Sequence, residues 1–173
     1  VVLRPFGSDD FDWLISSIPT KEAHLEWCAG FFRYPLDRPQ LERYLESSKH
    51  PQGRVIFTGE TPAGEPVGHI EISHIWPHLS SRLSRVLVLP SLRRRGFGSS
   101  MITRAVTFSF EKHQVQRIDL GVSNENRPAI ACYEKLGFDS VGTWPDAMVV
   151  NGQSIHVYWM TLSRDAWHCS RES

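Results

Sequence analysis

The chain opens on Val1-Val-Leu-Arg-Pro-Phe6, an apolar-polar pattern that predicts an edge strand. Phe11, Leu14, Ile15 and Ile18 then recur at helical spacing, forming one apolar stripe on a helix that Ser8 or Asp9 can cap. Pro19-Thr20 breaks it, and a second helix follows with Ala23, Trp27 and Cys28. After the aromatic loop Phe31-Phe-Arg-Tyr-Pro35, Asp37-Arg-Pro-Gln40 reads as a helix start whose body buries Leu41, Tyr44 and Leu45. The period then changes. Residues 54–58, 67–75 and 83–89 predict strands, with a turn at 61–65. Helical spacing returns over 98–112 through Met101, Ile102, Ala105 and Val106. Residues 117–122 predict a strand, 129–136 a short helix closed by Gly137, and 138–143 another strand. Residues 148–150 and 154–162 flank Asn151-Gly152, a strong two-residue hairpin signal. Hairpins come first and helix-linked strands second. That order predicts a mixed sheet with helices on both faces.

Composition narrows the class. A chain of 173 residues fits one domain, taken as 1–173, with 40% hydrophobic and 22% charged residues. The formal net charge of zero argues against a nucleic-acid partner, which usually shows as a basic excess. Cys28, Cys132 and Cys169 are too scattered for a disulfide framework or a zinc site, so no metal is expected. No apolar run approaches the ~20 residues that span a bilayer, and no signal peptide precedes Val1; the reading is a cytoplasmic protein without a membrane partner.

The most informative local pattern follows the strand at 83–89. Pro90 ends the apolar run, Arg93-Arg94-Arg95-Gly96-Phe97-Gly98-Ser99 follows, and then helical spacing begins. A helix start presents amides without internal partners and carries partial positive charge. Gly96 and Gly98 let backbone approach an anion, and the arginines add fork-shaped donors suited to phosphate. This chemistry points to a pyrophosphate held on the amides of Gly96, Gly98 and Ser99, although an Arg/Gly stretch also serves as a plain solvated turn. It is neither a Walker loop, since no Gly-Lys-Ser/Thr ends it, nor a dinucleotide fingerprint, since the third glycine is missing.

A second motif lies about thirty residues on. Asn126, Ala129, Tyr133, Gly137 and Phe138 match Asn-x-x-Ala-x-x-x-Tyr-x-x-x-Gly-Phe, and Arg93-Arg-Arg-Gly96-Phe-Gly98 matches Gln/Arg-x-x-Gly-x-Gly/Ala. In this order the two resemble the GNAT superfamily of acetyl-CoA-dependent N-acetyltransferases, over residues 83–143 and more loosely beyond. Leu3-Arg-Pro-Phe and Asn151-Gly152 are similar to the branch with ribosomal-protein and small-amine acetyltransferases. The resemblance implies an α/β (α+β) fold, a mostly antiparallel twisted sheet of about seven strands with helices on both faces.

It also implies roles. Backbone of Leu87, Val88 and Leu89 would pair with the pantetheine arm of acetyl-CoA as a mimic strand, and an N–H near Val88 would polarise the thioester. Asn126 would fix the splayed strand end or the cofactor, or merely cap a helix. Tyr133 would be the general acid toward the leaving thiolate, since a phenol with pKa ~10 stays protonated at neutral pH. The base is read from the residues alone. Glu71, mid-strand in Gly68-His-Ile-Glu-Ile-Ser73, is the candidate, with His69, His74, His156 or water as alternatives. Trp27, Phe31, Phe32, Tyr34 and Trp76 are candidates for an acceptor pocket. The expected activity is acetyl transfer to a small-molecule amine or a protein N-terminus in a ternary complex. A non-catalytic CoA-binding sensor or interaction module is the alternative, and a homodimer is left open.

Overall fold

The computed structural model describes residues 1–50 and 53–172. Among these lie seven strands: β1 (Val2–Pro5), β2 (Val55–Glu60), β3 (Pro66–Trp76), β4 (Ser80–Val88), β5 (Arg117–Ser123), β6 (Asp139–Val150) and β7 (Gln153–Ser163). The helices are α1 (Phe11–Ser16), α2 (Lys21–Cys28), α3 (Arg38–Ser47), α4 (Phe97–Lys112), α5 (Arg127–Lys135) and α6 (Arg164–Glu172). The strands form one sheet in the order β1-β2-β3-β4-β5-β7-β6. Every neighbouring pair is antiparallel except β4–β5. The mixed sheet read from the sequence is the sheet observed.

Strand alternation divides the core in two. Phe57, Ile70, Ile72 and Leu83 pack with Met101, Val106 and Phe110 of α4 and with Ile130 of α5. Ile56 and Leu87 point the other way, into Phe6, Leu14, Trp27, Leu41 and Tyr44 beneath α1–α3. Leu83 and Leu87 are four residues apart, yet they occupy opposite faces. Three steps of β4, from Ser84 to Leu87, span the two steps of β3 from Glu71 to His69. The extra residue is a β-bulge at Arg85, whose φ of 49° lies in the left-handed region.

Local signals set several element ends. Asp37 caps α3 by accepting from Gln40 N–H at 2.9 Å, as the sequence predicts. Thr20 caps α2 through Ala23 N–H at 3.2 Å. Neither Ser8 nor Asp9 caps the first helix: Ser8–Asp10 is a 3-10 turn, and Asp10 instead accepts from Gly7 N–H (2.9 Å) and Trp13 Nε1 (2.8 Å). Asn151 and Gly152, with φ of 50° and 77°, make the two-residue turn between β6 and β7. The two short segments expected at 138–143 and 148–150 are one strand, interrupted between Trp144 and Met148 by a register shift with Asp146 at φ 50°. Helix α6 has no counterpart in the sequence reading. Its sequence is mostly polar, and Trp167 is the side chain it sends into the core.

Candidate active site

The site is built where β4 and β5 part. They pair only through Ser80–Arg117, Ser81–Ile118 and Arg82–Asp119. Beyond Arg82, β4 keeps its partner on the β3 side, with Leu87 opposite His69 and Val88 opposite Gly68. Leu89 N–H bonds to Val67 O at 2.9 Å, toward β3. Alternation therefore turns the N–H and C=O of Val88 the other way, toward the opening. Arg93 Nε reaches that carbonyl at 3.2 Å. The opening is thus walled by a strand edge with peptide groups on offer.

At the end of β4 the chain makes a short 3-10 turn at Pro90–Leu92, passes through Arg93, Arg94 and Arg95, and enters α4. The three arginines are exposed, and Arg95 lies over the ring of Phe97 at 5.6 Å. Gly96 precedes the helix with φ 82°, a left-handed conformation that disfavours any side chain, although the space around it is open. Gly98 is needed for proximity: a Cβ there would stand 3.3 Å from Val88 Cγ2. The first α4 amide to find a helical partner is Ser100 N–H, on Gly96 O at 3.0 Å. Phe97, Gly98 and Ser99 N–H precede it and lie outside the ladder. Such a cradle of backbone donors beside an unpaired strand edge fits a pyrophosphate continued by an amide-bearing arm.

Helix α5 stands beside this loop, tied by Ser99 Oγ and Cys132 Sγ at 3.2 Å. Asn126 caps α5, its Oδ1 accepting from Ala129 N–H at 3.2 Å, so the oxygen has the local role that the sequence reading weighed against cofactor contact. The loop before α5 is fixed to β7 by Asn124, whose N–H donates to His156 O (2.9 Å) and whose Oδ1 accepts from His156 N–H (3.1 Å). Tyr133 is buried, and burial pushes its phenol above its ordinary pKa, with Cys132 adding to the shift. At neutral pH it holds its proton.

Glu71, the candidate base, lies on the other face of β3, beneath α3, buried rather than at the surface. Its carboxylate is fully buried. Arg85 Nε donates to Oε2 at 2.5 Å, Arg85 Nη2 donates to Oε1, Tyr44 O–H donates to Oε2, and Arg54 Nη1 lies 3.3 Å from Oε1. Burial alone would raise this carboxyl, but Arg85, with help from Tyr44 and Arg54, pulls it below the ordinary range. A carboxylate so filled with donors is a poor proton acceptor. It balances charge under the bulge.

The bulge itself is held by two donors. Trp27 Nε1 bonds to Arg85 O at 3.0 Å and His69 Nδ1 at 2.8 Å. A carbonyl only accepts, so His69 carries its proton on Nδ1. Burial drives the pKa of His69 down to about 4, leaving it neutral and a weak base near pH 7. His74 is exposed near the far end of β3, with Nδ1 3.2 Å from Ser73 Oγ. His156 Nδ1 accepts from Asp146 N–H at 3.0 Å. Of the aromatic candidates, Trp27 and Phe32 are core, stacked at 5.4 Å. Tyr34 is exposed and donates to Pro19 O at 3.0 Å, Trp76 is exposed, and Phe31 lies at the surface beside Arg54 and Arg85. Arg54, Arg85 and Tyr44 escape a sequence reading, because only the tertiary fold brings them to Glu71.

The acetyltransferase (GNAT) family model matches residues 21–138. The spermidine N(1)-acetyltransferase of Vibrio cholerae is 27% identical over 115 residues, covering 66% of each chain. That of Escherichia coli K12 is 27% identical over 160 residues, covering 88% of this chain and 80% of the relative. The crystal structure of the Vibrio cholerae spermidine N-acetyltransferase with CoA and spermine superposes with a TM-score of 0.83 at 22% identity, covering 96% and 97% of the two chains. The chain belongs to the acetyltransferase (GNAT) family. It is an acyltransferase that moves an acetyl group from acetyl-CoA to an amine. Among the described residues, no helix is long and apolar enough to cross a membrane.

Proposed function

We propose that the opening between β4 and β5 takes acetyl-CoA, and that the acetyl group passes directly to a bound primary amine without an acyl-enzyme. One observation carries this reading: β4 loses its β5 partner after Arg82 and leads, through one short turn and the arginine loop, to the α4 amides that lie outside the helix ladder. Acetyl-CoA supplies an activated acetyl thioester. The chain supplies the rest. Residues 87–89 offer strand-edge peptide groups to the cofactor arm, and Val88 N–H is the donor toward charge developing on the carbonyl oxygen. Gly96, Gly98 and Ser99 amides, with Arg93, Arg94, Arg95 and Phe97 around them, hold the diphosphate. Asn126 sets the start of α5, which carries Tyr133 as the proton donor to the departing sulfur. With Glu71 engaged by Arg85, the amine gives its proton to water. The acceptor is a small-molecule amine or a protein N-terminus, and the names of the spermidine acetyltransferases favour the small molecule. The chain's place is proposed as cytoplasmic.

The test is direct. Incubation with acetyl-CoA and an amine panel should release free thiol, and CoA should raise the melting temperature. Tyr133→Phe should keep the CoA-induced rise and lose thiol release. Unaltered turnover in that variant removes Tyr133 from the mechanism, and no response to CoA removes the site itself.

A further inference from the structure

The charge beneath α3 does not balance. Arg54 and Arg85 share one carboxylate, Glu71, and Arg85 takes it from both sides. The nearby acid Asp10 is already held by Arg4 through two bonds of 2.7 and 2.8 Å. Among the described residues Arg54 is left with a long bond of 3.3 Å to Glu71 beside its ring contacts, and its Nε is a buried donor without a hydrogen-bond partner. A buried guanidinium N–H without an acceptor is costly, and the part of Arg54 that stays open, 21% of its side chain, is where an acidic group could offset the surplus charge.

The same cluster reaches the surface through Phe31. This ring is 48% exposed, with the guanidinium carbons of Arg85 and Arg54 at 4.2 and 4.8 Å from its centroid. Phe31 therefore marks the solvent side of the two cations. The cluster also lies next to the opening. Arg85 is three residues before Val88 on the same strand, and because the bulge shortens the path the two lie at most ~10 Å apart along the chain. A small molecule seated on Phe31 and Arg54 could span that distance with its amine toward the Val88 edge.

We propose that the acceptor is a small amine that carries its own acidic group, and that Arg54 binds this group beside Phe31. The proposal rests on the acetyl-transfer reading and narrows its substrate. A surplus guanidinium at this point attracts a carboxylate or phosphate and repels a polycation, so the polyamine in the relatives' names is disfavoured here. Arg54 is a specificity residue, apart from the cofactor loop.

The experiment uses matched acceptors with saturating acetyl-CoA and reads free thiol. ω-Amino acids of increasing chain length are compared with their decarboxylated amines, ω-aminoalkyl phosphates with the matching amino alcohols, and spermidine is run alongside. The acidic member of at least one pair should exceed its partner by tenfold or more in kcat/KM and should exceed spermidine. The two kinds of pair separate carboxylate from phosphate. Arg54→Gln should raise KM for the acidic acceptor and collapse the preference, while the CoA-induced rise in melting temperature is kept. Arg54→Lys, which retains the charge, should restore part of the preference. Equal or better turnover of spermidine or of the decarboxylated amines overturns the proposal and leaves acetyl transfer standing. No thiol release from any amine overturns both.

Discussion

Phe138 donates its N–H to the carbonyl of Tyr133 at 3.0 Å, and the two rings meet at 5.7 Å between centroids. Gly137 N–H donates to Glu134 O, also at 3.0 Å. These bonds form a Schellman closure of α5, with its accompanying hydrophobic contact. The closure works because Gly137 takes φ 92°. The Gly-Phe pair of the motif is thus a clamp on the residue five positions earlier. Gly137→Ala should cost ~1–2 kcal/mol of stability through backbone strain, since a Cβ there meets only Leu162 Cδ1 at 3.4 Å. Urea denaturation checks this, and an unchanged midpoint would contradict it.

Tyr133→Phe keeps that ring contact and removes one O–H. Turnover should fall ~10²-fold, the usual scale for a positioned acid. The dissociation constant for CoA, read by calorimetry, should stay within a factor of about two, because the phenol has no part in the diphosphate cradle.

Gly96→Ala places a Cβ on backbone at φ 82°. Strain of ~1 kcal/mol at the head of α4 should raise KM for acetyl-CoA ~5-fold, with kcat little changed. An equal loss in kcat would mean that the loop acts on the chemical step as well.

Glu71→Gln should leave Arg85 and Arg54 without their counter-charge and lower stability by ~3 kcal/mol or more. A carboxylate that serves charge balance leaves no acid limb in the rate profile. The pH dependence of kcat/KM should instead move with the pKa of the acceptor when amines of different basicity are compared. A single enzymic pKa, unmoved by the acceptor and lost in Glu71→Gln, would restore Glu71 as the base.

His69 gives a stability prediction with a definite sign. Its folded pKa of about 4 lies below the ordinary value of 6.5, chiefly through burial. Between those two values the unfolded chain binds the extra proton, so acid favours unfolding. Stability should be level above pH 6.5 as far as this group is concerned, and should decline as pH falls through the interval toward 4. The full loss is on the order of 3 kcal/mol at one His. Replacement of His69 by Gln should flatten that part of the curve.

What the sequence discloses and what it withholds divide along sequence separation. The Arg93–Ser99 turn, the Gly137 closure, the Asp37 cap and the Asn151-Gly152 hairpin are legible because each is fixed within a few neighbouring residues. The order of strands and helices follows from hydrophobic period for the same reason. The bulge at Arg85 is not legible, since β-strand alternation gives no sign of an inserted residue until a partner strand supplies the count. Arg54 and Tyr44 reach Glu71 from 17 and 27 positions away, which turns an apparent base into the middle of an ion cluster. Trp167 alone cannot announce α6 against its polar neighbours.

The supernumerary residue at position 85 also joins two compartments that would otherwise be independent. Its carbonyl is grasped by Trp27 of α2 and His69 of β3, while the chain continues directly into the edge at Val88. Trp27 of α2 and His69 of β3 thereby fix the backbone three residues before the exposed edge, and a deletion in β4 would release both bonds while turning Leu87 out of its core.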